Sequence, residues 1–168
     1  MMPAVPNSDP APSERYNRRV GMGELDVMRG GGVLKTLLGS CIGLVLYDRL
    51  NVVGGLAHIV HPDSAGRTGP PGKYADTALA ELLKLIEQKG GRQKNLTARY
   101  AGGSNMFGTT QLNQIGQLNT AAVARLLKAA GIPVLATDCG GGKGRQLSFE
   151  IASGDVTVEV LGGTPTSL

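Results

Sequence analysis

The stretch VLKTLLGSCIGLVLYDRLNVVGGLAHIVHPDS, residues 33–64, decides how this chain folds. Val33–Leu38 and Cys41–Tyr47 are apolar, β-compatible runs, and the Gly39–Ser40 step between them forces a bend or a bulge. Asp48–Asn51 reads as a turn, and Val52–Val60 as the returning strand of a hairpin, with Gly54 and Gly55 marking a bulge or a close approach. Pro62–Gly72 reads as a loop.

Working outward, Tyr74–Lys89 is the clearest helix. Ala75, Ala78, Leu79, Leu82, Leu83 and Ile86 recur at helical spacing, and Gly90 is placed to stop it. A short strand at Leu96–Ala101 leads into the glycine-rich GGSNMFG. A second helix is expected over Asn119–Ala130, with Asn119 as its N-cap, Gly131 at its end and Pro133 barring continuation. Val134–Thr137 reads as a strand, and two alternating runs, Leu147–Ile151 and Val156–Val160, as a second hairpin turning at Ser153–Gly154. The order of elements predicts an α+β fold with extensive, largely antiparallel sheet. So many strands in so short a chain imply a folded-over or two-layer sheet, with the two helices on one face.

The chain has 168 residues, enough for one domain, and 41% of them are hydrophobic. Residues 1–19 hold four of the nine prolines and read as a flexible leader before a single domain over 20–168. Glycine contributes 26 residues, about twice the usual share, with no Gly-X-Y period. Two Phe, four Tyr and no Trp argue against a stacking platform for nucleic acid, and the net charge of +4 is scattered rather than clustered. No apolar run suits a transmembrane helix, and the prolines at the start do not suit a signal peptide. Two cysteines and two histidines make neither a disulfide framework nor an evident zinc site, so a cytoplasmic, reduced protein is expected, with no cofactor or metal.

Chemistry concentrates on Cys41. A tight turn between apolar segments can present a thiol and aim N–H groups at an oxyanion. The same residue also reads as a small buried hydrophobe at a strand start. His58 lies on the return strand, and the hairpin brings it alongside Cys41, the arrangement of a nucleophile activated by an imidazole. A neighbouring imidazolium would lower the thiol pKa. Thr36 is the nearest upstream hydroxyl able to orient the ring, and equally a plain strand former. Asp48 sits at the far end of the hairpin and reads as a turn residue, His61 ranks below His58, and Cys139 reads as structural. Gly140–Arg145, GGGKGR, lacks both the spacing and the following helix of a phosphate loop and reads as a turn. Asn105 and Phe107 of GGSNMFG either line a cleft or serve a turn and the core.

Seven segments, in order, resemble one family: VGMGELDVM (20–28), TLLGSCIGLVLYD (36–48), GGLAHIVHPDS (54–64), KYADTAL (73–79), GGSNMF (102–107), IGQLN (115–119) and GIPVLATDCGGGKGR (131–145). The resemblance is to CheD, the chemoreceptor glutamine deamidases of bacterial chemotaxis, and it covers about residues 20–160. LGSC with AHxxxPDS at this spacing is its most specific element.

The resemblance implies a cysteine hydrolase with a fold similar to that of deamidating toxins. It implies a Cys-His-Thr triad of Cys41, His58 and Thr36. Lys35 stands where the family pattern can carry the threonine, so either a bulge near Gly39 restores Thr36 to the site or a backbone carbonyl orients His58 instead. The implied reaction converts receptor glutamine to glutamate through a Cys41 thioester, with N–H groups near Ser40 and Cys41 on the oxyanion. The same route admits a minor glutamyl methylesterase activity. Implied partners are the cytoplasmic helices of methyl-accepting chemoreceptors and, for some members, a CheC-type phosphatase. The alternative is a catalytically weak adaptor that binds a receptor or such a phosphatase.

Overall fold

A computed structural model describes residues 17–106 and 114–168. Its strands form two five-stranded sheets. The first holds β1 (Asn17–Arg19), β3 (Val33–Leu38), β8 (Arg145–Glu150), β9 (Val156–Val160) and β10 (Thr166–Ser167), in the order β1-β3-β8-β9-β10. The second holds β2 (Leu25–Arg29), β4 (Ile42–Asp48), β5 (Val53–Ile59), β6 (Leu96–Gly102) and β7 (Val134–Cys139), in the order β2-β5-β4-β6-β7. Helices α1 (Ala75–Gln88) and α2 (Gln114–Ala129) complete an α+β architecture in which all but two strand pairs, β1–β3 and β6–β7, are antiparallel.

The central strands explain the layering. Every residue of β4 and β5 is buried, which is the signature of a sheet covered on both faces. Alternation then sorts their side chains. Ile42, Leu44 and Leu46 of β4, with Ala57 and Ile59 of β5, pack with Leu79, Leu82 and Ile86 of α1 and Val123 and Leu127 of α2. Val45, Tyr47 and Leu56 face the other way and pack with Leu34, Leu38, Leu147, Phe149 and Val158 of the first sheet. The layers are therefore sheet, sheet, helices. Tyr47 and Phe149 meet edge to face at 5.6 Å between ring centroids. The paired glycines serve these two contacts: a Cβ on Gly54 would overlap the Phe149 ring, and one on Gly55 would press on Leu82.

The Gly39–Ser40 bend proves to be neither a bulge nor a turn within one sheet. It carries the chain from β3 in the first sheet to β4 in the second. The β4–β5 and β8–β9 hairpins form as expected. Strand pairing begins at Asn17, inside the stretch read as a leader; residues 1–16 lie outside the described residues. Strand β2 was not evident because LDVMR lacks a regular apolar alternation; it is an edge strand whose burial varies residue by residue. No described helix is long and apolar enough to cross a membrane.

Candidate active site

Register brings Cys41 and His58 to one face. Gly43 pairs with His58 and Ile42 with Ile59, so the register continued by one residue sets Cys41 opposite Val60 and diagonal to His58. Diagonal neighbours on an antiparallel pair lie roughly 7–8 Å apart, within the reach of a ring. Both side chains point between the two sheets, where Cys41 belongs to the same cluster as Leu38 and Leu147. Gly43, directly opposite His58, contributes no side chain to that face. A Cβ there would come within 3.0 Å of Leu38.

Thr36 enters from the opposing sheet. Its hydroxyl lies 2.7 Å from His58 Nδ1 and 2.7 Å from the Val20 carbonyl oxygen. A carbonyl only accepts, so the single hydroxyl proton goes to Val20 and Thr36 Oγ1 accepts from Nδ1–H. This fixes the tautomer: the proton is on Nδ1 and the lone pair on Nε2. His58 Nε2 is buried and bonds to no described residue. The ring therefore presents a free base, held by a hydroxyl that is itself held by the backbone. Strand parity selects Thr36 over Lys35: Thr36 is buried between the sheets, while Lys35 is half-exposed on the outer face.

The backbone around the ring is also fixed. Gly23 N–H donates to the His58 carbonyl at 3.0 Å, and His58 N–H donates to the Glu24 carbonyl at 3.0 Å. The Val20–Glu24 segment thus clamps both Thr36 and His58.

Electrostatics set the resting protonation state. Burial lowers the His58 pKa below 6.5; the Val20 carbonyl and the Glu24 carboxylate oppose this without overcoming it. Burial also raises the Cys41 thiol above 9.0. Desolvation thus disfavours both charges, the opposite of the effect an imidazolium beside the thiol would have.

The Gly39–Cys41 loop is pinned at three successive carbonyls. Gly39 O accepts from Ser104 N–H at 2.9 Å, Cys41 O from Gly103 N–H at 2.9 Å, and Ser40 O from the Asn119 side-chain amide at 3.2 Å. The amide groups of Ser40 and Cys41 donate to no acceptor among the described residues. Gly102 makes this closeness possible: it has φ +117°, and a Cβ there would collide with the Cys41 carbonyl oxygen. Met106, half-exposed, lies against Gly39.

The other candidates fall elsewhere. Asp48, expected in the turn, is instead the buried last residue of β4, at the end of the hairpin away from Cys41. Burial alone would raise its pKa, but hydrogen bonds from Asn51, Arg92 and Asn95 hold the carboxyl below 3.8. His61 stacks on Tyr74 at 5.9 Å, in a bridge between the two residues. Cys139 packs on the helix side of the second sheet, the face opposite to Cys41. Gly140–Gly144 links β7 to β8 with no helix after it, and Arg145 reaches Ser104 at 2.7 Å and the Gly102 carbonyl at 3.3 Å. Phe107 lies outside the described residues.

Asn119 corrects the sequence reading outright. It is not an N-cap: α2 already runs from Gln114, and Asn119 sits inside it, fully buried. Its amide is taken by tertiary carbonyls, which local spacing does not reveal.

The family model and the curated relatives point to one family. Residues 60–160 match the family model described as CheD chemotactic sensory transduction. A chemoreceptor glutamine deamidase CheD of Thermotoga maritima is 42% identical over 145 residues, covering 86% of this chain and 92% of its own. A probable chemoreceptor glutamine deamidase CheD of Moorella thermoacetica is 42% identical over 151 residues, 86% of this chain and 90% of its own. One from Methanococcus vannielii is 41% identical over 142 residues, 83% and 92% respectively. Among solved structures, a Neisseria meningitidis protein aligns over 76% of this chain and 63% of its own, with a TM-score of 0.45 and 14% identity.

Proposed function

This chain belongs to the CheD family, and we propose that it hydrolyses glutamine side-chain amides of chemoreceptors to glutamate, with Cys41 as nucleophile, His58 as general base and acid, and Thr36 orienting the ring. The observation that carries this reading is the Val20–Thr36–His58 relay, which leaves Nε2 unprotonated on the face shared with Cys41.

With burial disfavouring both charges, the first step is a proton transfer. His58 Nε2 takes the Cys41 proton as sulfur attacks the glutamine carbonyl carbon. Cys41 Sγ is not hydrogen-bonded to Nε2 in the free protein; such contacts commonly tighten only with substrate bound. The N–H groups of Ser40 and Cys41, which have no acceptor among the described residues, receive the oxyanion. Collapse breaks the C–N bond, and His58 returns the proton to departing ammonia. The ring then takes a proton from water, hydroxide attacks the thioester, and glutamate and the thiol are released. A glutamyl methyl ester would enter the same path with methanol as the leaving group.

The surroundings favour a protein substrate. Exposed Met106 lies against Gly39, in the loop that carries Cys41. On family grounds the cytoplasmic helices of receptors are the substrate, and the cytoplasm the place of action. A CheC-type phosphatase is a further candidate partner on family grounds.

Receptor cytoplasmic fragments incubated with the protein, followed by peptide mass spectrometry, test the reading. Gln-to-Glu conversion is expected, and Cys41→Ala is expected to abolish it. No conversion by wild type, or undiminished conversion by the variant, rejects it. Receptor binding without conversion would instead mark an adaptor.

A further inference from the structure

We infer that Asn119 is a positioning residue that aims the oxyanion donor, an inference that rests on the deamidase reading above. Its side chain is fully buried, and its Nδ2 donates to Ser40 O at 3.2 Å and to Val60 O at 3.0 Å. Both partners are carbonyls, so the amide nitrogen must face them and Oδ1 points away. Oδ1 is buried and bonds to no described residue. A buried amide with its oxygen unpaired is costly to keep. Packing alone would be served by an apolar side chain of the same size.

What the donation does follows from peptide geometry. Ser40 C=O and Cys41 N–H belong to one trans peptide group, in which the two bonds point in opposite directions. Holding the carbonyl toward α2 turns the Cys41 N–H away from the helix. That N–H has no partner among the described residues. Donation to the carbonyl also polarises the peptide and strengthens its N–H as a donor. Gly39 O and Cys41 O are held by main-chain donors that no substitution removes, whereas Ser40 O depends on one side chain. The second donation, to Val60, ties the loop to the end of β5, the strand that carries His58. One amide therefore sets the oxyanion donor relative to the base.

The test separates aiming from mere packing. Asn119→Ala removes both donors, and Asn119→Leu removes them while keeping the volume. Each is compared with wild type in three measurements: steady-state deamidation of a receptor fragment, the rate of Cys41 alkylation by iodoacetamide, and thermal unfolding. Alkylation displaces iodide and forms no oxyanion, so it reports on the thiol alone. The expected result is a kcat lowered about 10- to 100-fold, less than the roughly 100- to 1,000-fold cost of losing an oxyanion donor outright, because the donor is misaimed and not removed. KM is expected to stay within about twofold and alkylation within about threefold. Unchanged kcat in the Leu variant overturns the inference. So does a kcat that falls only in step with alkylation, which would mark Asn119 as scaffolding. An inactive wild-type protein would instead reject the deamidase reading itself.

Discussion

Replacing Thr36 by valine removes one oxygen from the centre of the site and almost nothing else. Valine is close in shape, and the site is buried, so the strand and its packing persist. Two groups lose their partner: the Val20 carbonyl and His58 Nδ1–H, each bonded at 2.7 Å. Each buried group left unpaired costs about 1–3 kcal/mol of stability. The catalytic loss comes from the ring. During attack His58 becomes an imidazolium, and a hydrogen bond to a charged group is worth about 1.5–3 kcal/mol. At 1.36 kcal/mol per decade this predicts a kcat lowered roughly 10- to 150-fold. The true loss is larger if the freed ring changes tautomer and turns a protonated Nε2 toward the thiol. Ammonia release from receptor fragments under saturating substrate measures it, with KM expected to move little. Thr36→Ser keeps the hydroxyl and is expected to stay within a few-fold of wild type. A valine variant with wild-type kcat would refute the relay, and so would a serine variant as poor as the valine one.

Further outcomes follow from the same geometry. Since burial lifts the Cys41 thiol above 9.0, its alkylation rate is expected to rise with a single ionisation above pH 9; a plateau near neutral pH would instead reveal a preformed ion pair. His58 is depressed below 6.5, so the acid limb of kcat/KM is expected below pH 6.5, with activity rising through it as the ring loses its proton. The same depression means that His58 favours the folded state fully above pH 6.5, and that this contribution is lost as pH falls through the folded value. His61 acts in the same direction, so His58→Gln is expected to flatten, not abolish, the fall in urea midpoint between pH 7 and 5. Gly102→Ala would push a Cβ against the Cys41 carbonyl at φ +117°, and is expected to lower both the melting temperature and kcat, read by calorimetry and ammonia release.

The parts of the fold that were legible in the sequence are those written in local periodicity. The apolar runs of β4 and β5 on either side of the Asp48–Asn51 turn identified their hairpin, and a hairpin carries its register with it, so Cys41 and His58 could be brought to one face from the sequence. Helix α1 was evident from its apolar stripe, which is the face it buries. What was not legible depends on distant segments. Nothing near β3 announces that its partner is β8, more than a hundred residues on, or that the Gly39–Ser40 bend changes sheets. The spacing of Thr36 therefore looked one residue off. It is resolved only because β3 faces the hairpin from the other sheet instead of continuing it. Asn119 shows the same limit, since an asparagine ahead of a helical stripe has the local signature of a cap. Its buried position within α2 was the hidden part, and a helix interior is where an unpaired Asn most calls for a tertiary partner. The thiol pKa runs against the direction expected beside an imidazolium for a related reason: the sequence pairs the groups, but only packing supplies the desolvation.

The central claim is that a Cys41 thioester lies on the path from glutamine to glutamate. Hydroxylamine added during turnover of a receptor fragment intercepts such an ester, and mass spectrometry of the fragment reads the product. The account predicts glutamyl hydroxamate at the modified positions, growing at the expense of glutamate as hydroxylamine rises and absent with Cys41→Ala. Glutamate formed at an undiminished rate by Cys41→Ala, or wild-type turnover that yields no hydroxamate at any hydroxylamine concentration, would contradict it.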